Sequence, residues 1–253
     1  MKKTTLVSLL LCLGLATGAQ EAFLSKKMNE NYRRLVVNEV TFSTPVPPIE
    51  SIDSMFNREN IPFNKIDTEN WNGYDYKPLA SFRMAYSKDE IYLQYHVIEP
   101  IVKAVYGGDT GALPYKDSCL EFFLIPAEDS IYYNLELNCI AKGTFAGGAK
   151  RSGRIRFKED VLSKIRRSST LGTEPFGIKE SCGKPFEYTI TVAIPLEVFE
   201  LSKVAPLKGR EIRGNFYKCG DDMPKPHYLS WNPIGTERPD FHTPEYFGYI
   251  KFE

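Results

Sequence analysis

The chain has 253 residues, with 32 Lys+Arg against 32 Asp+Glu. A neutral balance supplies no field to draw nucleic acid or an acidic membrane, which excludes both as the main partner. The apolar and aromatic content is ample for a packed core, and one β domain of this length is ordinary.

The first nineteen residues read as a targeting segment. Lys2 and Lys3 form a basic start, residues 6–15 an apolar centre, and Thr17-Gly18-Ala19 a small-residue cleavage site before Gln20. The apolar run is too short to span a bilayer. The expectation is export (periplasmic, cell-surface or secreted) after cleavage near Ala19, with residues 20–253 forming one domain that acts as a monomer. Residues 20–34 are a polar lead-in. Residues 35–42 are β-branched and predict a strand, and Pro45, Pro47 and Pro48 then force a loop. Residues 50–60 suit a short helical turn, and residues 71–75 form an aromatic loop around Trp71.

Residues 80–86 and 91–97 alternate in hydrophobicity around a four-residue turn and predict a hairpin. Residues 99–114 hold Gly107, Gly108, Gly111 and Pro114 and read as a long surface loop. A strand follows over residues 115–126. Side chains alternate sides along a strand, so Leu120, Phe122 and Leu124 fall on a core face, while Asp117, Cys119, Glu121 and Phe123 fall on the other. Residues 131–140 alternate too, with Tyr133, Leu135, Leu137 and Cys139 apolar and Asn134, Glu136 and Asn138 polar. The short link between them predicts a hairpin. Matching apolar face to apolar face then sets Glu121 across from, or diagonal to, Glu136. Like charges side by side on adjacent strands are unfavourable, so an arginine, a cation or a ligand hydroxyl should compensate.

Residues 142–153 are rich in Gly, Lys and Arg, and residues 157–167 suit a short amphipathic helix. The basic side chains there read as a solvated face with internal salt bridges rather than a nucleic-acid patch. Further strands are predicted over residues 186–194, 211–219, 227–231 and 246–252. About eight to ten short strands with little helix predict an all-β antiparallel sandwich, jelly-roll or immunoglobulin-like, with one or two short helices.

Enzyme templates fit poorly. G-x-S-x-G, H-E-x-x-H and phosphate-binding glycine loops are absent, and His96, His227 and His242 lack metal-ligand spacing. Asp117 and Glu121 lie about 13 Å apart on one strand at about 3.3 Å per residue, too far for the roughly 5–9.5 Å that glycosidases use. Glu121 with Glu136 leaves a glycan hydrolase as the alternative, but an open sandwich face gives little burial to raise an acid's pKa. Cys119 and Cys139 fall on opposite faces and so should not bond to each other. Export leaves these two with Cys182 and Cys219, all read as small buried groups.

The segments Lys116-Asp117-Ser118-Cys119-Leu120-Glu121-Phe122-Phe123, Tyr132-Tyr133-Asn134-Leu135-Glu136-Leu137-Asn138, and Leu229-Ser230-Trp231-Asn232-Pro233 with Pro239-Asp240-Phe241-His242-Thr243-Pro244-Glu245-Tyr246-Phe247-Gly248 together resemble carbohydrate-binding module family 9, nearest its stand-alone secreted branch, over residues 50–253. The resemblance implies a β-sandwich that holds a sugar between two aromatic rings with polar side chains on its hydroxyls, and no catalysis. By motif position the rings fall on Tyr115 and Phe241, the family glutamate on Glu121, and its asparagine on Asn138. The family places an arginine where this chain has Glu136, which removes a hydroxyl donor and adds a charge. Structural calcium is implied by resemblance only, and no cofactor is expected otherwise. The expected partner is a mono- or oligosaccharide, bound in glycan capture or breakdown; the other alternative is a sandwich that binds a protein.

Overall fold

The computed structural model describes residues 31–109 and 111–253, so the export segment and most of the lead-in lie outside the described residues. Strand β1 (Arg34–Val37) leads into helix α1 (Ile49–Arg58). Strands β2 (Asn64–Lys65) and β3 (Thr68–Glu69) precede the hairpin of β4 (Leu79–Tyr86) and β5 (Glu90–Glu99). Then come β6 (Ile101–Ala104), β7 (Cys119–Ile125), β8 (Tyr132–Asn138), β9 (Gly143–Gly148) and β10 (Ile155–Arg156). The one-turn helix α2 (Glu159–Leu162) is followed by β11 (Arg166–Ser169), β12 (Phe176–Glu180) and β13 (Phe186–Pro195). The last strands are β14 (Glu211–Cys219), β15 (Tyr228–Ser230) and β16 (Gly248–Phe252).

Two sheets form the sandwich. The larger runs β1-β16-β14-β7-β8-β9-β10, with β15 sharing the β16 edge of β14 and β3 beyond it; the smaller runs β11-β13-β5-β4-β2. The pairings are antiparallel except β1 with β16. The alternation in sequence sets which side chains meet between the sheets. Leu120, Phe122, Leu124, Tyr133, Leu135 and Leu137 pack there against Phe82, Met84, Leu93, Tyr95 and Ile190. Phe82 stacks on Phe216 at 3.5 Å and Phe216 on Phe122 at 4.5 Å, so the rings bridge the sheets. Trp231 meets Phe82 and Phe216 edge-on, a core aromatic. Each such ring stabilises the fold by about 1.5–3 kcal/mol on burial.

Helix α1 covers the outer face of the smaller sheet. Its Ile52, Met55 and Phe56, at helical spacing, pack on Ala85, Tyr92 and Ala193. Glu50 in its first turn and Arg58 in its last agree with the helix dipole.

Three expectations need correction. Residues 99–114 are not all loop: β6 pairs with β12 as a separate two-stranded sheet, and a four-residue run is too short to reveal a partner so distant in sequence. Helix formation within 157–167 stops at Leu162, because Arg166 and Arg167 are drawn into β11. There Arg166 pairs with Glu90 at 2.5 Å and Arg167 with Asp109 at 2.9 Å. All four described cysteines are free thiols, but only Cys119, Cys139 and Cys219 are buried; Cys182 is exposed.

Candidate functional site: a buried carboxylate pair beneath an aromatic wall

The site lies on the face of the larger sheet that points away from the core. Along β7 the residues between core positions are Cys119, Glu121 and Phe123; along β8 they are Asn134 and Glu136; along β14, Tyr217 and Cys219. Glu121 pairs directly with Glu136 across β7 and β8, and with Tyr217 across β14. Segments following β9, β14 and β15 fold over this face and leave a cavity of about 640 Å³. Tyr115, Glu121, Glu136 and Phe241 all line it. Tyr115 is carried on the 3-10 turn Pro114–Lys116 that immediately precedes β7, and its carbonyl accepts from Asp221 N–H at 2.8 Å.

Asn138 is the one candidate that does not line the cavity. It continues the polar row of β8, yet it is fully buried. Its Nδ2 donates to Asp117 Oδ2 at 3.0 Å and to the Tyr106 carbonyl at 2.9 Å, and its Oδ1 accepts from the backbone of Ile140 and Lys142. The turn into β9 consumes it, which strand alternation alone does not reveal.

The face is not open, contrary to the sequence expectation. Glu121 is 3% exposed and Glu136 8%. Burial pushes Glu121 well above the usual carboxylate range, and the Cys219 thiol and Glu136 push it further. Burial also raises Glu136, opposed by the Asn134 amide that donates to it at 2.7 Å and by Arg156 and Arg154. Neither Arg151 nor Arg154 forms an ion pair with Glu121. Arg151 pairs with Asp240 at 2.6 Å, while Arg154 donates to Asn134 Oδ1 at 2.6 Å and the Tyr132 carbonyl at 2.9 Å. The contacts to Glu121 Oε1 are thiols, Cys219 Sγ at 3.1 Å and Cys119 Sγ at 3.7 Å. Both shifts favour the protonated form, most strongly at Glu121, and so ease the like-charge clash. In that form a carboxyl can both donate and accept hydrogen bonds.

Phe241 lies flat on buried Tyr217, with centroids 4.0 Å apart and planes 6° apart. Trp71, in a loop that could have offered a platform, instead supports this wall. Its Nε1 donates to the Thr236 carbonyl and its ring lies 6.1 Å from Phe241. Arginines return to the cavity by another route than the family position: Arg151, Arg154 and Arg156 come from the Gly/Arg-rich stretch after β9. Sequence reading missed these roles, together with those of Asp221 and Tyr228. The basic cluster was the available signal, but nothing local says that it folds over the carboxylates.

His242 also lines the cavity. Its Nδ1 shares a hydrogen bond with the Tyr132 hydroxyl at 3.0 Å, and burial, then Arg154 and Arg151, lower its pKa to about 4, against a smaller raising effect of Asp240. The unfolded chain, with histidine near about 6.5, takes up this proton first as pH falls. The stability from neutral His242 is therefore fully present above about 6.5 and lost as pH falls toward about 4. Urea unfolding at pH 7.5 and pH 4.5 should show a loss that shrinks by about 2–3 kcal/mol in His242→Gln. An equal loss in both proteins would rule this out.

Among the described residues, the one group of three His, Cys, Asp or Glu ligands close enough to share an ion is Cys119, Glu121 and Cys219, and calcium takes oxygen ligands, not thiolates.

The profile of carbohydrate-binding family 9 matches residues 50–252. A protein of Bacteroides uniformis proposed to bind carbohydrate has a crystal structure similar to this chain, with a TM-score of 0.83 and 40% identity over 88% of this chain and 100% of that one. A family 9 module from Caldicellulosiruptor kristjanssonii in complex with cellotriose has a TM-score of 0.52 and 16% identity, covering 87% of this chain and 94% of that one. The glucose complex of a family 9 module from the same organism gives 0.51 and 17%, covering 87% and 96%. At these identities the two Caldicellulosiruptor modules speak to the fold alone. No curated protein matches the chain.

Proposed function

The chain belongs to carbohydrate-binding family 9, and from that premise we infer that it captures a sugar in the cavity over β7, β8 and β14 without acting on it. The family is one of non-catalytic binding modules. The observation that carries the assignment is convergence on one cavity of two aromatic rings distant in sequence, Tyr115 and Phe241, and a buried carboxyl pair, Glu121 and Glu136. A sugar ring has apolar C–H faces and a belt of hydroxyls. It calls for flat aromatic surface and a few fixed polar groups. Phe241, braced by Tyr217, gives such a surface at low entropic cost. Glu121 and Glu136 present carboxyl oxygens to hydroxyls, and Arg156 adds a donor where the family arginine is missing.

The test is calorimetric titration with a panel of mono- and oligosaccharides. Glucose and cellotriose head it, because the Caldicellulosiruptor modules were solved with them. Saturable binding with no product released is expected. Tyr115→Ala and Phe241→Ala should each weaken it about 10- to 100-fold, the equivalent of roughly 1.5–3 kcal/mol of aromatic burial. Silence across the panel from a folded sample would defeat the reading and leave the protein-partner alternative in its place.

A further inference from the structure

One cluster in the cavity floor has no need of a sugar. Cys119 and Cys219 are direct partners across β7 and β14, and Glu121 is two residues along from Cys119 on the same side of β7. The two sulfurs and one carboxylate oxygen all lie within 4.8 Å of one another, and all three residues are buried. The Glu121 Oε1 distances are 3.1 Å to Cys219 Sγ and 3.7 Å to Cys119 Sγ. A tetrahedral zinc ion, with Zn–S near about 2.3 Å and Zn–O near about 2.1 Å, spaces its sulfur and oxygen ligands by about 3.6 Å, between those two values.

We propose that Cys119, Cys219 and Glu121 form a binding site for a thiophilic divalent cation of the zinc class, with the remaining coordination position open to the cavity. Three protein ligands and one open position distinguish such a site from a closed structural one. Two thiolates and a carboxylate select zinc-class ions over calcium or magnesium. Burial raises the pKa of each of the three groups in the empty site, Cys119 to about 12, so protons compete with the metal there. On binding, each thiol forms a sulfur–metal bond and gives its proton to the buffer, and Glu121 gives up any proton it holds. No electron moves and no co-reactant is required. Access is from the cavity, which Glu121 and Cys219 both line.

The inference does not rest on sugar binding, so the test is run without sugar. The full protein is fully reduced, freed of metal with a chelator and titrated with zinc chloride by calorimetry, and with cobalt chloride by absorbance. One equivalent should bind, with proton release that follows buffer ionisation and, for cobalt, a thiolate-to-metal charge-transfer band with tetrahedral ligand-field bands. Cys119→Ser and Cys219→Ser should each weaken binding by at least about 100-fold and remove the charge-transfer intensity of the lost thiolate. Cys182→Ser and the buried-thiol control Cys139→Ser should leave both signals unchanged. Circular dichroism of each variant separates loss of ligand from loss of fold, and Glu121→Gln, which keeps both thiols and the shape of the side chain, gives a second route to weakened binding. Absence of the cobalt–thiolate band in reduced protein overturns the proposal, as does a band that depends on Cys182 or Cys139. A protein in which Cys119 and Cys219 are joined as a disulfide, and which binds no metal after reduction, overturns it too.

Discussion

Lys218→Met is expected to destabilise the protein by about 3–5 kcal/mol. Lys218 and Glu99 are both completely buried between the sheets, 3.2 Å apart. Glu99 Oε1 accepts from the Tyr188 hydroxyl at 2.6 Å, whereas Oε2 has no hydrogen bond and depends on the lysine charge. On its other side the ammonium donates to His227 Nε2 at 2.8 Å. That ring can accept because burial and the lysine itself hold His227 well below its ordinary pKa, and its Nδ1 donates to the Lys225 carbonyl. Removing the lysine alone strands a carboxylate in apolar surroundings and leaves His227 without its donor. The pair as a whole is another matter, because desolvating two charges offsets most of their attraction. Combining Lys218→Met with Glu99→Leu should therefore recover most of the loss. Urea unfolding of the two single variants and the double measures the coupling, and a single variant within about 1 kcal/mol of wild type would mean that the pair is not ionic.

Gly143→Ala is the second large effect, at roughly 3 kcal/mol or more. Gly143 opens β9 opposite Leu137. A Cβ there would lie 1.8 Å from the Glu136 carbonyl oxygen and 3.0 Å from Leu137 Cα. Backbone cannot swing aside as a side chain can, so β8 and β9 must part, and Glu136 leaves its register with Glu121. Gly147→Ala, on the same strand, is the control. Its Cβ would meet the ring of Tyr133 at 2.9 Å and Leu201 Cδ1 at 3.0 Å, atoms of side chains that can shift at about 1–2 kcal/mol. Thermal unfolding of the two variants side by side decides it, and equal losses would refute the backbone argument.

What could be read from sequence was local and periodic. The hairpin of β7 and β8 follows from two alternating runs and a short link, and parity alone brought Glu121 to Glu136. The same reasoning kept Cys119 apart from Cys139. What could not be read was non-local. No pattern in residues 119 or 219 announces that β7 and β14 are neighbours, so the pairing of Cys119 with Cys219 stayed hidden. Nor does alternation say whether a polar face is covered. The carboxylates were expected on an exposed face, yet the segments carrying Arg154, Asp221 and His242 close over them and reverse the electrostatics. Asn138 marks the same limit, since its row along the strand is legible and its capture by a turn is not.

The parallel pairing of β1 with β16, Arg34 beside Tyr249 through Val37 beside Phe252, bears on the order in which the chain acquires structure. In the sheet path β1 has β16 as its neighbour, so the first described strand cannot take its place in that sheet until the last is made, although residues 38–40 just after it can already bond to Tyr86 of β4. During synthesis β1 stays unpaired while nearly every other strand is made. Closing so long a loop carries an entropic cost that a local hairpin avoids. Docking of this edge should be a late, slow step of folding and a cooperative one, in which a chain shortened by its final strand loses β1 from the same edge of the sheet as well.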